Sequence, residues 1–436
     1  MGRIDHWERW WRTPLQVERL AWSAATDATD AAQRLSRSRG SEAVYSTEPV
    51  LVASAYDAVN LLHLDGRPVS TWSSLSGFHA TKDGWIRMHA NYPHHASAIL
   101  RAFGTEDRGE LTTRLRWQTT RQAVGRIRAQ GGVATPVNTP EEWALDPHDV
   151  VTRDQPWVSV SETGDRPGLT ADEAPLAGVR VLDLTRVIAG PTCSQLLACL
   201  GAEVLRVDPP RRAELLAQYV SNGMGKRSVE LDLAHHADLL ADVLLPGADV
   251  VLHGYRPGSL EPYGLEPEQI LEADPSKIVG SLSAWGETGP MGRSIGFDSV
   301  VQAATGIATV CGTEDEPGAL PVQALDHSTG LRLATEIMGL LERRRGGCVR
   351  ASLLGAARRL LSWGTREPED RLQTFAPVLV EVATSRGTAT LPPPPMMRDG
   401  RTLELPIRDY GGSVPRWECR TAPGGTNDPI ASYGGR

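Results

Sequence analysis

The sequence predicts an α/β protein whose larger part contains a mostly parallel β-sheet. Apolar runs typical of buried strands begin after about residue 176, with VRVLDL at 179–184 and AEVLRVD at 202–208. The helical segment GPTCSQLLACLG lies between them, so the three pieces form one βαβ unit. Three further strand-like runs, SVELDL, ADVVLHG and KIVGSLSAWG, follow at intervals filled by helical sequence. Such alternation is typical of a parallel sheet with right-handed crossovers.

The part of the chain before about residue 152 predicts helices and one strand region. EPVLVASAYDAVNLLHL has helical apolar spacing and ends at the turn signal Asp65-Gly66. KDGWIRMHANY then predicts a turn and a strand, and PHHASAILRAFG predicts a return to helix. The segment Asn138-Thr139-Pro140 has the cap residue and the first-turn proline of another helix start. We therefore expect a second, smaller α+β domain within residues 1–152.

Two segments lack periodic apolar patterns. Residues 153–175 are polar, contain Pro and Gly, and are interpreted as a linker. Residues 176–363 carry the alternating pattern of the large domain and include the amphipathic helix GLRLATEIMGLLERRR. Residues 364–436 form a Pro- and Gly-rich extension, with LPPPP at 391–395, for which we expect little regular structure.

Composition restricts the classes of partner and compartment. The 436 residues carry a formal charge of -8, which argues against a general nucleic-acid-binding surface. No stretch of about 18 apolar residues is present, so we expect neither a signal peptide nor a membrane span. The five cysteines are scattered and form no CxxC pair, as a reducing compartment permits. These features predict a soluble cytoplasmic protein.

Several motifs allow competing interpretations. Asp208 ends the second strand where a ribose-binding acid often lies, but no GxGxxG motif precedes it, which argues against a dinucleotide site. The histidines of MHANYPHH could ligate a metal, yet no cysteine or carboxylate stands beside them at ligand spacing, and Pro93 is typical of a helix start. We therefore expect no metal site. Arginines near strand ends could gather round an anionic ligand at the carboxyl edge of the sheet: Arg186, Arg206, Arg211, Arg212 and Arg256.

The stretch ALDHSTG at 324–330 places Asp326 just before a long amphipathic helix. An aspartate there is a favoured N-cap, which contributes on the order of 1 kcal/mol. The same position also suits a nucleophile, because a helix N-terminus helps to keep a partly buried carboxylate ionised. The position of Asp326 in the sequence does not separate these two roles.

Six segments read together resemble family III CoA-transferases (the CaiB/BaiF family). They are LAGVRVLDLTRVIAGPTCSQLLACLGAEVLRVDPP, GMGKRSVELDL, HGYRPGSLEPYGL, DPSKIVGSLSAWGETGP, GFDSVVQAATGI and ALDHSTG, in family order through residues 176–362. The resemblance implies a Rossmann-like large domain, a small domain and an intertwined homodimer. It also implies that CoA moves from an acyl-CoA to a carboxylic acid, with coenzyme A as part of the substrate and no other cofactor.

The resemblance assigns roles residue by residue. Asp326 matches the family nucleophile, which forms an anhydride with the acyl group and then a thioester with CoA. The matching CoA-contacting loops are RVIAGP, VELDL and HGYRPG, and arginines are expected near the phosphates. The resulting candidate CoA contacts are Val187, Ile188, Ala189, Arg206, Leu231, Asp232, Gly254, Tyr255 and Arg256.

The sequence also departs from the family pattern. Phe297 in Gly296-Phe297-Asp298 stands where the related racemase has its histidine base, which disfavours racemisation. Gly254 stands where transferases commonly carry Asn. Residues 83–104 resemble the small domain of the family and residues 131–148 its returning large-domain segment. Both segments normally follow the catalytic aspartate, so the resemblance implies a rearranged domain order, with the small domain and part of the large domain in residues 1–152. An acyl-CoA isomerase or racemase, and a catalytically silent CoA-binding protein, stay open as alternatives.

Overall fold

A computed structural model describes residues 9–69, 72–366 and 372–418. The strands in these ranges are β1 (Tyr45–Ser46), β2 (His63–Leu64), β3 (Arg67–Pro68), β4 (Gly77–Ala80), β5 (Trp85–His89), β6 (Val133–Pro136), β7 (Val158–Asp165), β8 (Arg180–Leu184), β9 (Glu203–Asp208), β10 (Lys226–Glu230), β11 (Val250–His253), β12 (Ile278–Ser283), β13 (Arg345–Ser352), β14 (Val380–Thr384), β15 (Gly387–Leu391), β16 (Met397–Arg398) and β17 (Arg401–Thr402).

Helices cover both faces of the larger sheet and one side of a smaller one. They are α1 (Val17–Ser38), α2 (Pro49–Tyr56), α3 (Ala58–Leu61), α4 (Pro93–Phe103), α5 (Arg108–Leu115), α6 (Thr120–Ala129), α7 (Pro140–Ala144), α8 (Pro147–Thr152), α9 (Ala189–Cys199), α10 (Leu216–Ser221), α11 (Ala237–Leu239), α12 (Leu245–Gly247), α13 (Pro267–Ala273), α14 (Asp298–Ala304), α15 (Ile307–Cys311), α16 (Ala324–Arg343) and α17 (Leu353–Leu361). A π-helical turn, Leu240–Leu244, joins α11 to α12, and a 3₁₀ turn spans Glu261–Tyr263.

The large sheet has the strand order β10-β9-β8-β11-β12-β13-β7. Strands β8 to β13 run parallel, and β7 pairs antiparallel with β13 at the edge. Numbered from β8, the parallel part has the order 3-2-1-4-5-6 of a doubly wound Rossmann sheet. The predicted fold class, α/β with a Rossmann-like large domain, is therefore confirmed. The strand order reverses between β8 and β11, and ligands bind at the carboxyl edge of that point in such folds.

The large sheet is buried on both faces, which explains its continuous apolar strands. Neighbouring residues of β8 enter opposite clusters: Val181 packs on the side of α1, α9 and α16, and Leu182 on the side of α13. Helix α16 lies against both α1 and α9. Gly330 permits this approach, because a Cβ atom there would lie 2.2 Å from the carbonyl oxygen of Ala189. The start of α16 is thereby held against the loop that follows β8.

A smaller α+β unit is formed by the sheet β4-β5-β6 and helices α4, α5 and α6. Its core contains Ile86, Ile99, Leu111 and Ile127. Other parts of residues 1–152 pack on the large sheet instead: α1 covers α16, and the His148 ring on α8 hydrogen-bonds the carbonyl oxygen of Trp285 at 2.8 Å. The domain boundaries at 152, 175 and 363 and the rearranged order stay predictions.

The assignment of residues 153–175 as a linker was wrong for β7. This strand extends the large sheet, and Ser161 lies opposite Cys348 in the antiparallel ladder. Most of its side chains are exposed. Its backbone hydrogen bonds to the sheet edge do not require apolar side chains, so its polar sequence carries no strand pattern.

The expectation of little regular structure after residue 364 was also wrong in part. Strands β14 and β15 form a hairpin that pairs with β2, and β16 pairs with β1. Their partners lie more than three hundred residues earlier in the chain, where local sequence gives no indication of the pairing. Pro392–Pro395 is buried against the large domain. Residues 419–436, which the same prediction included, lie outside the described residues.

Candidate active site

A cavity of about 730 Å³ opens at the carboxyl ends of the parallel strands. The loops after β8, β9, β10, β11 and β12 line it, together with the first turn of α4 in the small unit and the side chain of Asp326. This is the place that the doubly wound strand order indicates, next to the β8–β11 switch point. The cavity therefore brings together chain segments that are up to about 260 residues apart in the sequence, from Tyr92 to Leu353.

Most of the candidate site residues line this cavity. The ones that do are Asp326, Val187, Ala189, Leu231, Asp232, Gly254, Tyr255 and Arg256. Ile188 does not: its side chain is buried in an apolar cluster with Val59, Leu62 and Val220. The expectation that Ile188 contacts the ligand with its side chain is therefore wrong, because the loop turns that side chain inward between two cavity-lining neighbours.

Arg206 is a second correction. Its guanidinium is 1% exposed and donates to Asp208 Oδ1 at 3.0 and 2.8 Å and to Glu214 Oε2 at 3.0 Å. Arg206 and Asp208 are two residues apart on β9 and so lie on the same face of the strand. The arginine neutralises buried carboxylates, and its side chain is not part of the cavity wall. Arg211 and Arg212, five and six residues after Arg206 in the loop that follows β9, do line the cavity.

Asp326 is not the N-cap of its helix. Helix α16 begins at Ala324 after the cap residue Gln323, so Asp326 is its third residue. The capping role belongs to Asp298, whose Oδ2 accepts hydrogen bonds from the backbone N–H groups of Leu325 and Asp326 at 3.0 Å each. The backbone N–H of His327 donates to the Gln323 carbonyl at 3.1 Å. This N–H is therefore not available to hydrogen-bond a negatively charged oxygen of a ligand. Asp326 is thereby left with a carboxylate that no described residue hydrogen-bonds.

Burial strongly perturbs this carboxylate. It is 6% exposed, and burial together with the negative charge of Asp298 raises the pKa of Asp326 well above its ordinary value. Burial also raises the pKa of Asp298, although hydrogen bonds from Gln302 and from the α16 backbone oppose this rise. Two neighbouring carboxylates in a poorly solvated place resist carrying two charges. An ionised Asp326 is consequently more basic, and more nucleophilic, than an aspartate in water.

The loop after β8 carries backbone strain at the cavity. Val187 has φ of 72°, in the left-handed region that β-branched residues avoid. Such conformations cost of order 1–3 kcal/mol and persist where the surroundings enforce them. The backbone N–H of Val187 donates to Glu214 Oε2 at 2.9 Å. The strained residue therefore lines the cavity with its amide held by a buried carboxylate.

Glu214 joins three parts of the molecule. It accepts hydrogen bonds from the Tyr92 hydroxyl of the small unit, from Arg206 of β9 and from the Val187 amide. Burial alone would raise the pKa of Glu214, but the Arg206 and Arg186 guanidiniums and these hydrogen bonds outweigh it, and the pKa is lowered. Glu214 is thus an ionised, fully paired carboxylate that fixes the small unit to the edge of the cavity.

Sequence reasoning missed the contribution of the small unit. The histidines of MHANYPHH were interpreted as a helix start, and α4 does begin at Pro93, but Tyr92, His94 and His95 also line the cavity. The Phe297 ring lies beside them, stacked at 3.7 Å on His89. No local signal marks these side chains as ligand-facing, because only the docking of the small unit brings them to the cavity.

The fold and the site together are a Rossmann-like sheet with a buried, unpaired acid in the crevice at its strand ends. Residues 176–373 match the family described as CoA-transferase family III. This segment is therefore similar to family III of the CoA-transferases. No helix of the described ranges is long and apolar enough to cross a bilayer.

Individual relatives match less than half of the chain. The chain is 38% identical over 189 residues to a protein named probable fatty acyl-CoA transferase of Mycobacterium tuberculosis, covering 40% of this chain and 48% of that protein. It is 33% identical over 188 residues to the succinyl-CoA–D-citramalate CoA-transferase of Chloroflexus aurantiacus, covering 40% and 47%. A crystal structure of the M. tuberculosis protein has a TM-score of 0.40 at 33% identity, covering 43% and 56%. The chain spans about half the length of the curated relatives it matches.

Proposed function

We propose that this protein transfers coenzyme A from an acyl-CoA thioester to a carboxylic acid, with Asp326 as the nucleophile. The observation that carries the proposal is the unpaired carboxylate of Asp326 in the wall of the cavity at the strand ends. The family match of residues 176–373 supports CoA as the group that is bound. Relatives named as CoA-transferases for different acids support the reaction class.

The cavity suits an anionic ligand. Arg211, Arg212 and Arg256 line it, and no carboxylate of the described residues lies within ion-pair distance of any of them. Arginine guanidiniums at the edge of a cleft attract phosphates and bind them with charge-assisted hydrogen bonds. In the proposed complex these arginines bind the phosphates of CoA, and the pantetheine arm passes the loops at Leu231 and Gly254 toward Asp326.

The proposed chemistry regenerates Asp326 in four steps. An Asp326 oxygen attacks the thioester carbonyl, the C–S bond breaks, and a mixed anhydride and the CoA thiolate form. The thiolate then attacks the Asp326 carbonyl carbon, which releases the donor acid as a carboxylate and leaves an aspartyl-CoA thioester. The acceptor carboxylate attacks this thioester and expels the thiolate, which finally takes the acceptor acyl group from the new anhydride. The whole cycle exchanges one thioester for another and needs little net driving force, so positioning and exclusion of water are the main requirements.

The raised pKa of Asp326 suits both halves of this cycle. A basic carboxylate is a good nucleophile, and its attack needs no proton transfer once it is ionised. Its burial keeps water away from the anhydride, which would otherwise hydrolyse. The proposal also includes an intertwined homodimer, as the resemblance implies, and a cytoplasmic location, as the composition predicts. Light scattering on the purified protein tests the mass of the dimer.

The experiment is covalent trapping at Asp326. Purified protein is mixed with a panel of acyl-CoA donors and free acids, and intact mass and hydroxylamine labelling followed by peptide mapping locate the adduct. The adduct is expected at Asp326, and Asp326→Ala is expected to abolish it and to lower turnover by about 10⁴-fold or more. Circular dichroism checks that the variant is folded.

The matched control is Asp232→Asn, which removes the other aspartate of the cavity wall. This variant is expected to keep the covalent adduct, with weaker CoA binding. Turnover that survives in Asp326→Ala would overturn the assignment. Solvent deuterium appearing at the acyl α-carbon without CoA transfer would instead support the isomerase alternative, and CoA binding without any adduct would support the silent one.

A further inference from the structure

The small unit contributes an imidazole with unused hydrogen-bonding capacity to the cavity wall. His95, the third residue of α4, is 5% exposed and lines the cavity. Its Nδ1 atom is buried without a hydrogen-bond partner, and no described residue hydrogen-bonds its other ring nitrogen. Leaving a buried polar atom unpaired is unfavourable, so most buried polar atoms have a partner in the protein, in water or in a bound molecule.

The surroundings hold His95 in place. The Tyr92 hydroxyl, one turn earlier, donates to the buried Glu214, which anchors the start of α4 to the large domain. The backbone N–H of His95 donates to the Tyr92 carbonyl at 3.0 Å. On another side, the Phe297 ring lies 5.8 Å from the His95 ring, centroid to centroid. A polar group fixed in this way contributes to selectivity, because it cannot turn away from a ligand that fails to pair with it.

His95 offers a neutral hydrogen-bonding group. Burial, the neighbouring His94 and the Arg212 and Arg186 guanidiniums lower the pKa of His95 to about 4. At neutral pH the ring is uncharged and has one N–H donor and one acceptor nitrogen. It is therefore suited to a hydroxyl, keto or carboxyl oxygen, while the arginines of the cavity are suited to phosphates.

His95 lies on the side of the cavity where we place the acyl group of the substrate. Asp298, which caps α16 through the Asp326 amide at 3.0 Å, directly follows Phe297, and the Phe297 ring lies against His95. The path from the proposed nucleophile to His95 therefore runs along the Phe297 side chain. The strand-end loops that suit CoA belong to the large domain, so the small unit is left to contact the acyl group.

We propose that His95 forms a polar subsite for the acyl group, and that the acyl groups this protein accepts carry an oxygen function beyond the thioester carbonyl. The inference rests on the proposed function for the identity of the CoA thioester. A hydrocarbon chain at this wall would leave the imidazole unpaired, whereas a hydroxyl or carboxyl oxygen would pair with it. Selection of this kind is strong because the unpaired state is unfavourable in itself.

The test measures binding in a protein that does not turn over. Asp326→Asn is titrated by calorimetry with butyryl-CoA, 3-hydroxybutyryl-CoA and succinyl-CoA, three thioesters that share their CoA moiety. The two oxygenated thioesters are expected to bind about tenfold more tightly than butyryl-CoA. Adding His95→Leu is expected to abolish this ratio, mainly by tightening butyryl-CoA, and adding His95→Asn is expected to retain most of it because the amide restores a hydrogen-bonding atom near Nδ1.

Each result decides the proposal. Equal binding of the three thioesters in the parent variant, or a ratio unchanged by His95→Leu, would overturn the His95 subsite while leaving CoA transfer intact. The binding preference could also be found in Asp326→Asn while the wild-type protein forms no covalent adduct. That pair of results would support the His95 subsite and overturn the transfer mechanism. If none of the three thioesters binds, both proposals are wrong.

Discussion

Asp326, a buried acid in the cavity wall, and Glu214, a buried acid behind that wall, are treated in opposite ways by their surroundings. Glu214 is fully buried and is surrounded by Arg206, the Tyr92 hydroxyl and backbone N–H groups, which lower its pKa. Asp326 is just as deeply buried, but the charge that acts on it is another carboxylate, Asp298, and its pKa is raised. Burial alone therefore does not decide the state of a carboxylate. The partners decide it: those of Glu214 compensate its charge, whereas the neighbour of Asp326 is a second carboxylate.

The largest effect on stability is expected from removing the paired acid. Glu214→Ala deletes the acceptor for three parts of the molecule and leaves Arg206 with a single carboxylate partner, Asp208. Breaking such a buried ion pair lowers the free energy of unfolding by about 3–5 kcal/mol. Urea denaturation monitored by fluorescence measures it. Because the folded pKa of Glu214 is lowered, its contribution is present above the ordinary carboxyl pKa and is lost as the pH falls through the lowered value.

Glu214→Gln is the matched control for this prediction. The amide keeps the shape and one acceptor oxygen, so a smaller loss is expected than for Ala. An Ala variant that unfolds at the wild-type urea concentration would contradict the view of Glu214 as the joint between the small unit and the sheet.

Replacing the unpaired acid, Asp326, should change the free energy of unfolding in the opposite direction. Asp326→Asn removes a poorly solvated charge without changing shape, and we expect it to raise the free energy of unfolding by about 0.5–2 kcal/mol at pH 8. The pKa of Asp326 is raised in the folded protein, so its ionisation destabilises the fold above that pKa. Well below the pKa that Asp326 has in the unfolded chain, the residue is protonated in both states and has no effect. The gain should therefore shrink as the pH is lowered toward 4. Thermal unfolding of both proteins across this pH range measures it.

Asp232→Asn provides the comparison for the second prediction. Asp232 lines the same cavity but is partly exposed, and hydrogen bonds, the backbone N–H of Ala234 first, lower its pKa. No stabilisation is expected at any pH in this variant. A similar gain in both variants would mean that reduced net charge, rather than relief of the Asp326–Asp298 pair, is responsible.

The smallest effect concerns the strained loop that Glu214 holds. Val187→Gly relieves a left-handed conformation of a β-branched residue, but it also increases the entropy of the unfolded chain. A net gain of less than about 1 kcal/mol is expected in urea denaturation. Val187→Ala keeps the left-handed strain, so it should show no gain. Stabilisation by Ala equal to that by Gly would show that side-chain contacts, and not the backbone conformation, decide the result.

Sequence patterns predicted the site well where function depends on strand ends. Apolar runs located the strands of the parallel sheet, and the residues directly after them line the cavity. The error at Arg206 had a signal in the sequence, because Arg206 and Asp208 are two residues apart in one strand and must share a face. His95 had no comparable signal, since its place in the cavity depends on how the small unit docks on the sheet.

The same contrast applies to the elements at the sheet edges. Strand β7 and the hairpin β14–β15 are polar or short, and their pairing uses backbone groups whose partners lie far away in the sequence. Hydrophobic periodicity reports only which side chains are buried, and it does not report which backbone edge a strand will complete. This is why both segments were predicted as irregular.

The sequence by itself determined the α/β class, the strands of the Rossmann-like sheet and the presence of an acid at the start of α16, because these depend on local periodicity and on residues near one another in the chain. The tertiary structure alone decided that Asp298 caps α16, that Arg206 forms ion pairs with buried acids, and that His95 lines the cavity. Those outcomes depend on which charged and polar groups meet in a poorly solvated place, and groups brought together by folding are distant in the sequence.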